Sequence, residues 1–414
     1  MFASLTSPVN FAKVMRTLLL LIFLCIANIL SAQTDSSTWK RARKLAHRFI
    51  IVDGHVDLPY RLRIRNYRYD RDYLGEIPIT CDYCDFDYKR AKVGGLSCPF
   101  MSIYIPSEYE QTGGARQLAD SLIDMIQIFI RSNPSKFASG GSTMEVYDNF
   151  RRDLISLPMG IENGAAIEDN LANLSYFYKR GVRYMTLTHW QSNLICDSSR
   201  DTIGRWKGVS PFGQSVIKEM NRLGMLIDVS HISDAAFWQV MELTKQPVIA
   251  SHSSCRAFTP GFMRNMTDEM LLAMKKNGGV VMVNFGTSFL DSTRRQRMSD
   301  AQIEIKKLLD DQKLDEDSPE GDKVVRDYGR EHPEIFADVS MVANHIDHIV
   351  QIAGIDHVGL GSDFDGVGDA LPAGLKDVSG YPNLIAELLN RGYSEKDIEK
   401  ICYKNFFRVW SEVE

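Results

Sequence analysis

Cysteines, basic clusters, internal repeats and long apolar runs are all scarce in this chain of 414 residues. With 7 Cys, it lacks the cysteine density of a small disulfide scaffold. Its 48 basic and 53 acidic residues form no stripe of one sign, and with a formal net charge of -5 we expect no nucleic-acid partner. The chain has 44% hydrophobic and 24% charged residues, a balance that excludes collagen-like and intrinsically disordered proteins and predicts a globular one.

The N-terminal segment differs in character from the rest of the chain. Lys13 and Arg16 precede an apolar run of about 14 residues that ends in small residues, which is the pattern of a secretory signal peptide. The run is shorter than the roughly 20 residues that cross a bilayer as a helix. We therefore predict a signal peptide over residues 1–32, an exported mature chain and no transmembrane span in it. A lipid anchor at Cys25 is the alternative.

Beyond this segment the chain contains the cysteines Cys81, Cys84, Cys98, Cys196, Cys255 and Cys402. Cys81 and Cys84 have the spacing of half a zinc knuckle, but no second cysteine or histidine pair completes four ligands. The pair is therefore predicted to form a local disulfide or to remain as free thiols.

Eight short β-rich runs alternate with helical patterns over residues 33–414. Most of these runs are apolar throughout, as in parallel strands that are covered on both faces. The predicted strands are Phe49–Asp53, Leu96–Ile105, Leu157–Glu162, Arg183–His189, Met225–His231, Pro247–His252, Gly279–Phe285 and Val358–Asp365. Their alternation with helices predicts an α/β protein that is a single (β/α)8 TIM-type barrel.

Two stretches fit this alternation less well. Residues 60–92 are rich in Arg, Tyr and Asp, and we predict that they form an excursion after the first strand. Residues 292–340 are highly charged and fill the interval between the seventh and eighth strands. A solvated helical insertion without a chemical role is the expected structure there.

Residue types that bind metals stand at the carboxyl ends of most predicted strands, the rim that carries the active site in a (β/α)8 barrel. His55 and Asp57 are two residues apart, so in an extended chain their side chains point the same way. The other members of this set are Glu162, His189, His231, His252 and Asp363. A single histidine at a strand end is more often structural, but their joint occurrence at one rim favours a metal site.

These residue types suit a hydrolytic site with two cations. Imidazole and carboxylate groups, as offered by His55, Asp57, His231 and His252, are typical zinc ligands. Glu162 has two carboxylate oxygens and could bridge ions about 3.5–4 Å apart. Such a pair lowers the pKa of a shared water and makes it a nucleophile at neutral pH.

The remaining rim residues suit catalysis and substrate binding. Asp363 could accept and return a proton near the nucleophilic water, and His189 could donate to the developing oxyanion. A substrate carboxylate requires a guanidinium, for which Arg264 and Arg256 compete on spacing alone. Three histidines away from the rim are assigned to structure: His345, His348 and His357.

A set of segments in this order resembles the membrane (renal-type) dipeptidases, peptidase family M19 among the amidohydrolase-like barrels. The segments are DGHVDLP, GIENG, GVRYMTLTH, IDVSH, SHSSCRAF, RNMTDEML and VGLGSDFDG, and the resemblance continues to the C-terminus. It implies a zinc dipeptidase with two ions per chain. His55 and Asp57 would hold one ion, His231 and His252 the other, and Glu162 would bridge them.

The resemblance also implies that His189 contacts the substrate, that Asp363 is the catalytic carboxylate and that Arg264, which precedes Asn265, binds the substrate's carboxylate in preference to Arg256. The implied reaction is hydrolysis of the single amide bond of a dipeptide by a metal-bridging hydroxide, with tolerance for a D-residue at the C-terminal position. Relatives are often homodimers.

Two other functions remain open on these residues. The same pair of ions could hydrolyse β-lactams or N-acyl amino acids. A non-catalytic barrel that binds metal as a receptor or scaffold is the alternative outside enzymes, although the presence of both Asp363 and His189 argues against it.

Overall fold

The computed structural model of this protein describes residues 37–68, 76–316 and 318–414. The predicted signal peptide and Cys25 lie outside these residues, as does part of the predicted excursion. Among the described residues, no helix combines the length and the apolar character needed to cross a membrane.

Eight parallel strands close into a barrel, which confirms the predicted fold class. The strands in chain order are β1 (Val52–Val56), β2 (Cys98–Tyr104), β3 (Phe137–Ala138), β4 (Ile155–Ser156), β5 (Met159–Glu162), β6 (Val182–Thr186), β7 (Leu226–Asp228), β8 (Ile249–Ala250), β9 (Val280–Val283) and β10 (Val358–Leu360). Around the barrel their order is β1, β10, β9, β8, β7, β6, β5 and β2. The pair β3–β4 forms a separate parallel sheet that was not predicted, because two residues per strand leave no sequence pattern.

Helices surround the barrel and cover its strands. They are α1 (37–48), α2 (Leu58–Ile64), α3 (Tyr88–Gly94), α4 (Tyr109–Thr112), α5 (Ala115–Ser132), α6 (Thr143–Arg151), α7 (Ala172–Lys179), α8 (Pro211–Leu223), α9 (Asp234–Leu243), α10 (Asp268–Asn277), α11 (Thr287–Leu290), α12 (Ser292–Gln312), α13 (Pro319–Glu331), α14 (Val339–Ala353), α15 (Tyr381–Asn390), α16 (Glu395–Glu399) and α17 (Asn405–Val413). A short π-helical turn, Lys400–Lys404, joins the last two.

Helix ends follow from local sequence, as α10 illustrates. The Thr267 side chain accepts a hydrogen bond from the backbone N–H of Met270, which satisfies one of the donors left free in a first helical turn. At the other end Gly278 has a φ of 83°, a left-handed conformation that glycine adopts without a Cβ penalty.

Aromatic side chains anchor the C-terminal helix to the barrel wall. Phe100 of β2 contacts Phe406 and Trp410 of α17, with ring centroids 5.1 and 5.2 Å apart in edge-to-face geometry. All three side chains are almost completely buried. Such packing of large rings stabilises the barrel beneath the rim.

Several strands end earlier than the sequence predicts, because aspartates inside the barrel take over the backbone hydrogen bonds. The fifth predicted strand extends to His231, but β7 ends at Asp228. The Asp228 Oδ1 accepts the backbone N–H groups of Ser230 and Ser251, at 3.0 and 2.8 Å. In the same way, the Oδ1 of Asp53 in β1 accepts the backbone N–H of Ser362, which follows β10. The rim residues therefore stand on loops that buried carboxylates hold in place.

The charged stretch 292–340 contains α12 and α13. Some of its apolar residues form a small cluster apart from the main core, made of Met298, Ala301, Ile335 and Phe336. The exposed faces of both helices are charged, as the composition predicts.

The two cysteines of the Cys-x-x-Cys segment, Cys81 and Cys84, form a disulfide, one of the two states predicted for them. The other four described cysteines are buried free thiols, and burial raises the pKa of each one. Raised pKa values keep these thiols protonated and unreactive at neutral pH.

Candidate active site

The seven predicted rim residues lie together at the carboxyl end of the barrel. Each is no more than 8% exposed, and they are His55, Asp57, Glu162, His189, His231, His252 and Asp363. Their nitrogen and oxygen atoms form three overlapping groups, each with ligand atoms within 4.8 Å of one another. The structure thus brings side chains from six strands to one place.

Glu162, the last residue of β5, stands at the centre of this group. Its Oε2 lies 3.3 Å from His55 Nε2, which in turn lies 3.3 Å from Asp57 Oδ2. Its Oε1 lies 3.1 Å from His231 Nε2 and 3.2 Å from His252 Nε2. One carboxylate therefore presents a separate oxygen to each of two ligand pairs.

The Nε2 atom of His55 faces the site because a hydrogen bond engages its Nδ1. Tyr184 of β6 donates its only proton to the carbonyl of Gly54, at 3.0 Å. The His55 Nδ1, 2.9 Å from the same hydroxyl, must then be the donor, which leaves Nε2 as the atom that could bind a cation. Gly160 leaves room for the Tyr184 ring, since a Cβ there would lie 2.0 Å from it.

A hydrogen bond to Nδ1 also orients the imidazole of His252. The Ser251 hydroxyl donates to Asp228 Oδ2 at 2.6 Å, so it can only accept from His252 Nδ1, 2.7 Å away. Asp228 also accepts the Thr186 hydroxyl of the neighbouring strand. His252 Nε2 is therefore available as a metal ligand.

Some buried polar atoms in the site have no hydrogen-bond partner. Within the described chain these include His55 Nε2, Asp57 Oδ1, His189 Nδ1, His231 Nδ1 and Arg264 Nε. A buried polar group without a partner costs about 1–3 kcal/mol. Cations bound by His55 and Asp57 would satisfy their orphaned atoms, so the residues present fit divalent metal ions.

The buried carboxylates of the site repel one another. Burial raises the pKa of Glu162 to about 7, where the charge of Asp57 adds to the effect and His55 opposes it. Burial likewise raises the pKa of Asp363 to about 6, again with a contribution from Asp57. A bound cation would relieve both effects by favouring the charged carboxylates.

Three of the four imidazoles, by contrast, are neutral. The exception is His55, whose pKa Tyr184, Glu162 and Asp57 raise against the effect of burial, so that it holds a second proton that a bound cation would displace. Burial, reinforced by the nearby charge of Arg264, lowers the pKa of His189 and His231 well below the usual range. Burial and the charge of His55 do the same for the pKa of His252. Neutral imidazoles are the form in which histidine binds metals.

Two of the site residues have unusual backbone conformations. His231 and Asp363 have φ values of 71° and 65°. Left-handed conformations at residues with side chains cost on the order of 1–3 kcal/mol and are concentrated at functional sites. Asp363 is held further by the Asn284 amide, which donates to its Oδ2 at 2.7 Å.

The structure separates the two candidate arginines. Arg256 donates two hydrogen bonds to the Asp234 carboxylate, at 2.7 and 2.8 Å, and this carboxylate balances its charge. Arg264 is buried and donates to Ser253 Oγ and to the carbonyl of His252, at 2.7 and 2.8 Å. It lines an open cavity of about 640 Å³. Burial lowers its pKa to about 10, so it stays charged at neutral pH.

Sequence reasoning missed three residues that support the site: Tyr184, Asp228 and Asn284. Asp228 carried a usable signal, because an aspartate in the middle of the predicted strand Met225–His231 must find buried partners. Tyr184 carried none, since tyrosine is common in strands. The role of Asn284 depends on its contact with Asp363, 79 residues away.

Comparison with known proteins decides the family. The family model of the membrane dipeptidases, peptidase family M19, matches residues 39–414. The chain belongs to this family. It is therefore a metallopeptidase that hydrolyses peptide bonds, in agreement with the resemblance noted in its motifs.

Solved structures of dipeptidases and metallo peptidases are similar to this chain over nearly their full length. The probable dipeptidase PvdM from Pseudomonas aeruginosa is 26% identical with a TM-score of 0.75, and the match covers 91% of this chain and 98% of that one. A Rhodobacter sphaeroides metallo peptidase, solved with a phosphinate mimic of the dipeptide L-Ala-D-Ala, is 25% identical with a TM-score of 0.71, over 88% of this chain and 99% of that one. Dipeptidase AC, an M19 metallo peptidase, is 26% identical with a TM-score of 0.70, over 88% and 98%.

Proposed function

We propose that this M19 protein is a dipeptidase that uses two zinc ions held at the rim of the barrel. The observation that carries the proposal is the position of Glu162, whose two oxygens face different ligand pairs. His55 and Asp57 would hold one ion, and His231 and His252 the other. Imidazole and carboxylate donors without a thiolate suit zinc.

When bound, the two ions would supply a water that is nucleophilic at neutral pH and would polarise the carbonyl of the scissile bond. The protein supplies the proton transfers and the orientation. Asp363 lies within the same ligand group as His55 and Asp57, close to where that water would be held. Its carboxylate accepts a proton from the attacking water and returns it to the departing amine, which completes the addition of water across the amide bond.

His189 and Arg264 would orient the substrate. Because the pKa of His189 is low, its imidazole is neutral and has one N–H to donate. Donation to the oxygen of the tetrahedral intermediate stabilises charge that develops only during the reaction. Arg264 is charged and buried, and its Nε–H has no partner in the described part of the chain, so it can hold the C-terminal carboxylate of the dipeptide.

We extend the proposal to stereochemistry on the basis of the Rhodobacter relative, which was solved with a mimic of L-Ala-D-Ala. A dipeptide whose C-terminal residue has the D configuration should therefore be accepted. Export through the segment 1–32 and assembly as a homodimer stay predictions. Size-exclusion chromatography with light scattering and N-terminal sequencing of the mature protein test them.

The decisive experiment combines metal analysis of the purified protein with a substrate panel. We expect about two zinc ions per chain and hydrolysis of dipeptides with either configuration at the second residue. β-Lactams and N-acyl amino acids serve as the competing substrates. Faster turnover of either competitor, or bound zinc without any turnover, would contradict the proposal.

A further inference from the structure

The cavity beside the metal site has more positive charge than a dipeptide's C-terminal carboxylate requires. Three arginines line it, Arg200, Arg264 and Arg295, and among the described residues Asp201 is the only acid in its lining. The Asp201 carboxylate already accepts the backbone N–H of Ile203. If Arg264 binds the C-terminal carboxylate, two guanidinium groups remain without an assigned partner.

Arg200 and Arg295 are held by aromatic rings rather than by acids. The Arg200 guanidinium lies 3.6 Å from the Trp190 ring centroid and 5.6 Å from that of Phe262. The Arg295 guanidinium lies 4.0 Å from the Phe262 ring centroid. Within the described residues, neither side chain forms an ion pair with a carboxylate. Stacking fixes both cations at the cavity wall and leaves their N–H donors available.

The two guanidinium groups of this wall repel each other. The pKa of Arg200 is lowered, first by burial and then by the charge of Arg295. A cluster in which like charges outnumber the opposite charge binds an anion favourably, because the anion relieves the repulsion.

We infer that Arg200 and Arg295 form a subsite for an acidic side chain on the C-terminal residue of the dipeptide. The inference rests on the proposed function, because it takes Arg264 as the site of the C-terminal carboxylate. A side chain next to that carboxylate extends into the same cavity, whose volume of about 640 Å³ accommodates an Asp or Glu residue. The preferred substrates are therefore dipeptides with a second carboxylate at the C-terminal residue.

The test compares kcat/KM for Ala-Glu, Ala-Gln, Glu-Ala and Gln-Ala, with the C-terminal residue in both configurations. Glu and Gln are nearly equal in shape, so their ratio isolates charge. We expect Ala-Glu to exceed Ala-Gln about tenfold, mainly through KM, which corresponds to about 1.4 kcal/mol. We expect the ratio to shrink in 0.5 M salt, because the subsite is partly open to solvent.

Arg200→Gln and Arg295→Gln should each move the Ala-Glu to Ala-Gln ratio toward one. Arg297→Gln is the matched control, because Arg297 lies on the same helix but donates to the carbonyl of Glu334 at the surface. It should leave both the ratio and the activity unchanged.

The possible failures are distinguishable. Hydrolysis of all four dipeptides with no preference for Ala-Glu overturns the subsite and leaves the proposed function intact. If both Arg200→Gln and Arg295→Gln keep the preference for Ala-Glu over Ala-Gln, the assignment of the subsite to these arginines is wrong. If the preference for Glu-Ala over Gln-Ala is the stronger one, the subsite does not bind the side chain of the C-terminal residue. Absence of any dipeptide hydrolysis by the zinc-loaded protein overturns the proposed function itself.

Discussion

Replacing Asp228 with Asn should weaken metal binding although Asp228 touches no ion. In the native protein Asp228 accepts the Ser251 proton, and this makes Ser251 accept from His252 Nδ1. An Asn amide at the Oδ2 position would donate to Ser251 instead. The Ser251 hydroxyl would then donate to His252 Nδ1 and move the imidazole proton to Nε2, the atom that must bind the cation.

The opposite orientation of the Asn side chain does not avoid the problem. It places the amide nitrogen against the backbone N–H groups of Ser230 and Ser251, which now donate to Asp228 Oδ1. In this second orientation the amide nitrogen, a donor, meets two backbone donors in a buried site. Partners that orient metal-binding histidines are worth about 10–100-fold in metal affinity, which corresponds to about 1.4–2.8 kcal/mol.

The assay is a titration of metal-free protein with zinc in competition with a chromophoric chelator. Asp197→Asn is the matched control, because Asp197 is also buried and accepts backbone N–H groups, from Trp206 and Gly208, but contacts no imidazole. Thermal unfolding of both metal-free variants reports any general loss of stability. Wild-type zinc affinity in Asp228→Asn, or an equal loss in Asp197→Asn, would refute the tautomer argument.

Glu162→Gln, which removes the central charge, should lower the bound zinc from about two ions to one or none and abolish turnover; elemental analysis checks this, and two retained ions with full activity would contradict it. Asp363→Asn should keep its metal but lose about 10²–10⁴-fold in kcat, because the proton acceptor is gone; an unchanged kcat at full metal occupancy would rule out the role. Burial lowers the pKa of His345 to about 4, so below pH 6.5 the unfolded chain binds a proton that the folded chain does not, and stability falls as the pH drops from about 6.5 to about 4. That loss in the free energy of unfolding amounts to about 3 kcal/mol. Urea unfolding of the metal-free protein at several pH values should show it. If the stability of His345→Gln falls equally steeply with pH, His345 is not the source of the loss.

The barrel could be predicted because parallel strands covered on both faces are apolar throughout and recur between helical patterns. The metal-binding residues could be predicted because this topology collects the carboxyl ends of all strands at one rim. Histidine and carboxylate side chains at those ends are conspicuous in an apolar context. Position along the chain was therefore sufficient to place the candidate ligands close to one another.

The strand ends and the supporting hydrogen bonds could not be predicted in the same way. β7 stops three residues before His231 because Asp228 accepts backbone donors from two segments, one of which is 23 residues away. Tyr184 reaches His55 across 129 residues and only because Gly160 leaves space for its ring. Such contacts depend on strand register and on packing inside the barrel, neither of which a local pattern specifies.

The most direct measurement is anomalous scattering at the zinc edge from crystals of the zinc-loaded protein. We predict two peaks about 3.5–4 Å apart, one on the side of His55 and Asp57 and the other on the side of His231 and His252, with the Glu162 carboxylate between them. A single peak, or two peaks that do not share Glu162, would contradict the two-ion site on which the proposed chemistry depends.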